Sequence, residues 1–145
     1  MSYPDQFLRG IPHKQYVGDD NKPTSDLFYF LDEHQNNERQ DGFMEESISW
    51  RDDSGAEEIL FTQTKTDGAI QFKAGVVVMS RHELDRLISK SLNKNDLCYE
   101  RREIADNKYH GNLLLLKTVK KREMKKIAAA IALVCFNDIL ENPNT

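Results

Sequence analysis

At 145 residues and 16.8 kDa, the chain has the length of one ordinary domain, able to bury a core without disulfides or metal. Hydrophobic residues at 39% and a mean hydropathy of -0.67 exclude both an apolar membrane chain and a purely polar disordered one. The net charge of -4 conceals a division: residues 1–58 hold 14 Asp and Glu against 5 Lys and Arg, a net of -9, and residues 59–145 hold 10 against 15, a net of +5.

The start Met1-Ser2-Tyr3-Pro4-Asp5 lacks the basic head and apolar run of a secretory signal, and no segment approaches the roughly 20 apolar residues of a membrane span. A soluble cytoplasmic protein is the expectation, with Cys98 and Cys135 as reduced thiols.

In chain order, Phe7–Ile11 and Leu27–Leu31 read as two extended segments separated by the turn-rich Gly18-Asp19-Asp20-Asn21-Lys22-Pro23. His34–Gly42 is nearly all polar and reads as a loop that buries too little to order itself. Three β-like runs follow, Ser47–Trp50, Ile59–Gln63 and Ala69–Met79. The last two flank Asp67-Gly68, a signal for a type I′ hairpin, and Gly75 suggests a bulge before the continuous Val76-Val77-Val78-Met79.

Ser80-Arg81-His82-Glu83 is a capping box, and Leu84, Leu87, Ile88 and Leu92 lay one apolar stripe along the helix it opens. Leu97–Arg101 reads as a short strand, Ala105–Asn107 as a loop, and Leu113–Leu116 as a buried strand after Gly111. A last helix is expected from about Lys120 to Leu140. Its middle, Ile127 to Phe136, is apolar all round, so a helix covered on more than one side is expected, with room for a second copy against its alanines.

Two groups of residues stand out chemically. Lys117, Lys120, Lys121, Arg122, Lys125 and Lys126 crowd the start of the last helix, with only Glu123 opposing them. Cations there work against the helix dipole, so an anionic partner, whether acidic protein or nucleic acid, would account for them, the bland alternative being a plain solvated face. Tyr109, His110 and Asn112 precede and enter the leucine strand. Histidine moves protons near neutral pH, tyrosine and asparagine orient a substrate or an oxyanion, and Glu100, Arg101 and Arg102 would lie close if their strand pairs with this one. The bland alternative is a turn in which Gly111 supplies positive φ.

Other motifs are incomplete. Asp53 followed by Gln63-Thr64-Lys65 resembles, over three residues, the metal-holding pattern of restriction nucleases, too short a match to assign a family. His82-Glu83 has no second histidine four residues on, and Asp19-Asp20-Asn21 lacks the glycine and glutamate of a calcium loop. No metal or cofactor is expected.

The fold expected is α+β, a single domain over residues 1–145: a mainly antiparallel sheet of about five strands, with one helix after Ser80 and one at the C-terminus packed on it. The function ranked first is an accessory or protein-interaction domain, with a protein partner or self-association. A nucleic-acid-binding protein using residues 117–126 follows, and then a small enzyme centred on His110.

Overall fold

The computed structural model describes residues 5–31, 39–51, 55–90, 96–135 and 139–145, and shows an α+β domain built on one antiparallel five-stranded sheet. The strands are β1 (Gln6–Ile11), β2 (Phe43–Trp50), β3 (Gly75–Ser80), β4 (Leu97–Arg101) and β5 (His110–Leu116), in the order β3-β1-β2-β5-β4. Three helices accompany them among the described residues, α1 (Gly55–Thr62), α2 (Arg81–Lys90) and α3 (Lys121–Leu133), one more than the sequence suggests. None of these helices is long and apolar enough to cross a membrane.

Alternation along the strands divides the sheet into two faces. The first carries Phe7, Ile11, Ile48, Trp50, Val77, Met79, Leu97, Leu113 and Leu115, all buried under α2 and α3 through Leu84, Met124, Ala128 and Ile131. At its centre the rings of Phe7, Trp50 and Tyr99 meet edge to face, with centroids 4.6, 5.0 and 5.9 Å apart. The Tyr99 hydroxyl donates to Asp85 at 2.5 Å, tying β4 to α2. The second face has a smaller apolar cluster, in which Leu8, Val76, Val78 and Tyr109 pack against Ala56 and Leu60 of α1. Among the described residues no helix covers the β2, β5 and β4 part of this face, and there the side chains are mostly polar.

Several local expectations change. Ile59–Gln63 is helical rather than extended, because Ala56 and Leu60, four apart, both reach Leu8 and Val76, while Glu57 and Glu58 complement the helix start. Leu27 and Phe28 belong to a 3₁₀ turn, Ser25–Phe28, that buries both side chains beneath α3. The run from Ala69 becomes a strand only at Gly75. Its β1 pairing is unbroken from Gln6↔Ser80 to Ile11↔Gly75, so Gly75 makes no bulge there. Its φ of 105° and a carbonyl of Leu140 2.2 Å from where a Cβ would sit explain the glycine: the C-terminal segment closes on it. At Asp67-Gly68 only Gly68 has positive φ, so the turn is a type I turn ending in a left-handed glycine, not type I′, with Thr64↔Ile70 as its bridge. The Asp67 carboxylate accepts the Ala69 amide, which holds its pKa below the usual range.

Ser80 caps α2, its hydroxyl accepting the Glu83 amide at 3.2 Å. The reciprocal half of the box is replaced, since the Ser80 amide points to the Val134 carbonyl. Ser80→Ala is expected to cost about 1 kcal/mol, read as a lower urea midpoint with an unchanged slope.

α3 stops at Leu133, short of Leu140, and is not covered on all sides: Ala129 is exposed and Leu133 is 86% exposed. The two cysteines are free thiols, as expected. Burial pushes Cys135 up to about 12 and also raises Cys98. Iodoacetamide at pH 8 should therefore alkylate Cys98 before Cys135, as mapped by mass spectrometry. An unfolded thiol ionises above its ordinary value of 9 while folded Cys135 stays protonated until about 12, so stability is lost as pH rises through that window.

Candidate functional site

The β1 and β2 strands pair only at Phe7↔Trp50 and Leu8↔Ser49, and then part. Arg9 spans the gap. Its guanidinium donates to the Leu27 carbonyl at 2.9 Å, the Ser47 carbonyl at 2.6 Å and Glu46 at 2.8 Å. On the second face, the parting opens a groove of about 470 Å³ between the sheet and the connection from α1 to β3. Ser47, Ser49, Asn107 and His110 line its sheet side, with Lys65 and Lys73 contributed by the connection.

His110 stands in this groove with both ring nitrogens engaged. Its register partner on β2 is Ser49, but its ring reaches diagonally to Ser47, Nε2 lying 3.2 Å from the hydroxyl. Nδ1 lies 2.8 Å from the Arg102 carbonyl. A carbonyl only accepts, so Nδ1 carries the proton, and in the neutral ring Nε2 is left as the acceptor for the Ser47 hydroxyl. The neighbouring Asn107 is buried and locked, donating to Ser49 at 2.9 Å and accepting the Tyr109 amide at 2.9 Å.

The trio expected around His110 is not brought together. Tyr109 is buried in the apolar cluster under α1, and Asn112, although on the sheet face of His110, serves a different network. Gly111 is a strand residue without positive φ, contrary to the turn reading; a Cβ there would sit 2.4 Å from the Glu100 carbonyl and 3.2 Å from the Trp50 ring. Gly111→Ala is thus expected to wedge β4 from β5 and cost about 2 kcal/mol by urea denaturation, as overpacking does. Pairing of Arg101 with Gly111 and Glu100 with Asn112 confirms the expected neighbourhood of the two strands.

Arg39 was expected in an unordered loop. Residues 34–38 of that loop lie outside the described residues, but Arg39 itself is buried, with its side chain 4% exposed. It donates to Glu45 at 2.9 Å, to Asp41 at 2.6 Å and to Glu100, while Asn112 bridges Glu100 at 2.8 Å and Glu45 at 3.4 Å. Burial alone would lower the Arg39 pKa; the Glu45 hydrogen bond and the three carboxylate charges outweigh it and the net direction is up. The guanidinium is a permanent cation that locks the residue 39–42 segment to β2, β4 and β5.

The basic cluster lies elsewhere, on the first-face side of the sheet. Lys117, Lys120, Lys121, Arg122, Lys125 and Lys126 are all exposed, and α3 begins without a side-chain cap. Residues 117–126 hold six cations and one acid, a net of +5, which leaves -9 on the rest of the chain. Several arginines elsewhere are paired internally, Arg9 with Glu46, Arg39 with three carboxylates, Arg51 with Glu57 and Arg81 with Asp5 and Asp85. Among the described residues the cluster's one ion pair is Lys126 with Glu123 at 3.5 Å. Arg122, Lys126, Ala129 and Leu133, spaced i, i+4, i+7 and i+11, share the outward side of α3, opposite the buried Met124, Ala128 and Ile131.

No group of three or more metal-ligating side chains occurs among the described residues. Asp53 of the nuclease-like pattern lies outside them, and Gln63 and Lys65 follow the end of α1 instead of alternating on a strand. Ser47 and Arg39 were not foreseen; the only sequence signal for Ser47 is its alternation with Ser49 beside two apolar partners, Ile48 and Trp50. The chain matches no protein-family model, no curated protein and no solved structure.

Proposed function

We propose that the protein is an interaction domain whose partner surface is the outward side of α3, and that the partner is an acidic protein segment carrying apolar side chains. The observation that carries this reading is the stripe Arg122, Lys126, Ala129 and Leu133, which joins two exposed cations, Arg122 with no carboxylate partner among the described residues and Lys126 paired with Glu123 one turn away, to an apolar end 86% exposed at Leu133. A nucleic-acid backbone would use the charges and leave the apolar end idle, and it would meet the -9 carried by the rest of the chain. An acidic amphipathic segment uses both halves, the charges steering encounter and the leucine supplying contact area.

The test is a photo-crosslinking amino acid placed at Ala129, with one at exposed Glu58 of α1 as control. A discrete acidic-protein adduct is expected in cells from position 129 alone, lost in the variant Lys121→Glu, Arg122→Glu, Lys125→Glu. No adduct at 129, or equal adducts at both positions, rejects the reading. Tight, steeply salt-dependent binding of a 20-base-pair DNA duplex by the unsubstituted protein would reject it in favour of nucleic acid. The same variant separates function from folding: acids in the first turn complement the helix dipole, so its unfolding free energy should hold or rise, by about 0.3–1 kcal/mol for each change in that turn, while binding disappears.

A further inference from the structure

We infer that the groove on the second sheet face is an acyl-transfer site, with Ser47 as nucleophile and His110 as general base, for small esters whose acyl group carries a negative charge. This goes beyond partner binding at α3 and rests on a different surface.

Four observations carry it. The Ser47 hydroxyl lies 3.2 Å from His110 Nε2, and the Arg102 carbonyl, 2.8 Å from Nδ1, fixes the tautomer in which Nε2 can take the hydroxyl proton. A serine, a base within hydrogen-bond reach and a group orienting the base are the parts of an activated nucleophile, and here a backbone carbonyl fills the orienting position. Both side chains stand on paired strands, so their separation is set by the β2 and β5 ladder and not by a loop. Ser47 is exposed and both residues line the groove of about 470 Å³, so a substrate can reach the hydroxyl. Lys65 and Lys73 line the same groove from the α1 to β3 connection, and the two carboxylates that also line it are paired, Glu46 with Arg9 and Glu45 with Arg39, so the lysines select an anionic acyl group; Gln63 and Gln71 beside them supply amide donors to the substrate oxygens.

The step balances within the protein and an ester. Ser47 Oγ attacks the ester carbonyl carbon while its proton passes to His110 Nε2. The tetrahedral intermediate collapses, the carbon–oxygen bond to the alcohol breaks, and the alcohol leaves with that proton. Water, deprotonated by the same Nε2, then cleaves the acyl-serine, releasing the carboxylic acid and restoring both residues.

The experiment uses the full chain with a fluorophosphonate probe, read by mass spectrometry, and with p-nitrophenyl acetate and p-nitrophenyl hemisuccinate, read by the absorbance of the released nitrophenolate. The expected result is one phosphonyl group on Ser47, a burst of nitrophenol equal to the enzyme concentration, and faster turnover of the hemisuccinate ester than of the acetate. Ser47→Ala should abolish labelling and burst, and His110→Gln should slow labelling by about 100-fold, as loss of a general base does. Ser89→Ala, an exposed serine on α2 outside the groove lining, should leave labelling intact. Unchanged circular dichroism establishes that each variant is folded. Absence of label on folded protein, label on another residue, or equal rates for His110→Gln and the unsubstituted chain overturns the site. Equal turnover of the two esters overturns the assignment of an anionic acyl group.

Discussion

Arg39→Met should lower the unfolding free energy by about 3 kcal/mol, a shift well resolved in urea. The guanidinium sits among Asp41, Glu45 and Glu100 with its side chain 4% exposed, and it is the cation that all three carboxylates share. Removing one partner of a buried charge cluster leaves the others with their desolvation cost and no compensation, which is typically 3–5 kcal/mol. The low end applies, because Asp41 is 51% and Glu100 29% exposed, and water will screen what they lose. Asn112 and Arg102 limit the loss further, since the Asn112 amide still donates to both glutamates and Arg102 still lies 3.9 Å from Glu100. A double change, Arg39→Met with Glu100→Gln, should recover part of the stability by removing one stranded charge. A loss below about 1 kcal/mol for the single variant would show that the cluster is solvated and that the residue 39–42 segment is not fastened by it.

Phe7→Ala carries the largest expected cost, about 3–5 kcal/mol. Phe7 is fully buried and sits where β1, the central helix-covered face and β4 converge, its ring edge to face with both Trp50 and Tyr99. The loss combines the transfer term for a large ring, the cavity left behind and the two aromatic contacts. Phe7→Leu should cost far less, about 1.5 kcal/mol, because it keeps most of the volume. Trp50 is the chain's single tryptophan and lies 4.6 Å from the Phe7 ring, so its fluorescence reports both unfolding and the local change in packing. If the two substitutions cost the same, the lost volume contributes little and the ring contacts, absent from both variants, carry the cost.

Much of the architecture is readable in sequence because it arises within a few residues. Ser80 with Glu83 marks the α2 start, the Leu84, Leu87 and Ile88 spacing marks its buried side, and the leucine run from Leu113 marks the buried centre of β5. The α+β class and the antiparallel sheet follow from such signals. Short apolar runs are where reading fails. Leu27-Phe28 and Ile59-Leu60-Phe61 are rich in residues common in strands, yet one becomes a 3₁₀ turn under α3 and the other a helix on Leu8 and Val76. Periodicity over four or five residues cannot separate these states, and the surface against which the side chains pack decides between them.

The candidate sites divide in the same way. The cluster from Lys117 to Lys126 is contiguous, so sequence alone places it at the opening of a helix. Its exposure and its companionship with Leu133 emerge only when one side of α3 is seen to be spent on the core. Nothing local distinguishes Ser47 or Arg39. Ser47 and His110 are 63 residues apart and Arg39 and Glu100 are 61 apart, and each pair meets only through the β2, β5 and β4 ladders. Sequence by itself determined the composition, the charge division, the local starts of helices and the class of fold, because those depend on neighbours along the chain. Tertiary structure decided which polar residues became a site, because strand register sets which distant side chains share a face.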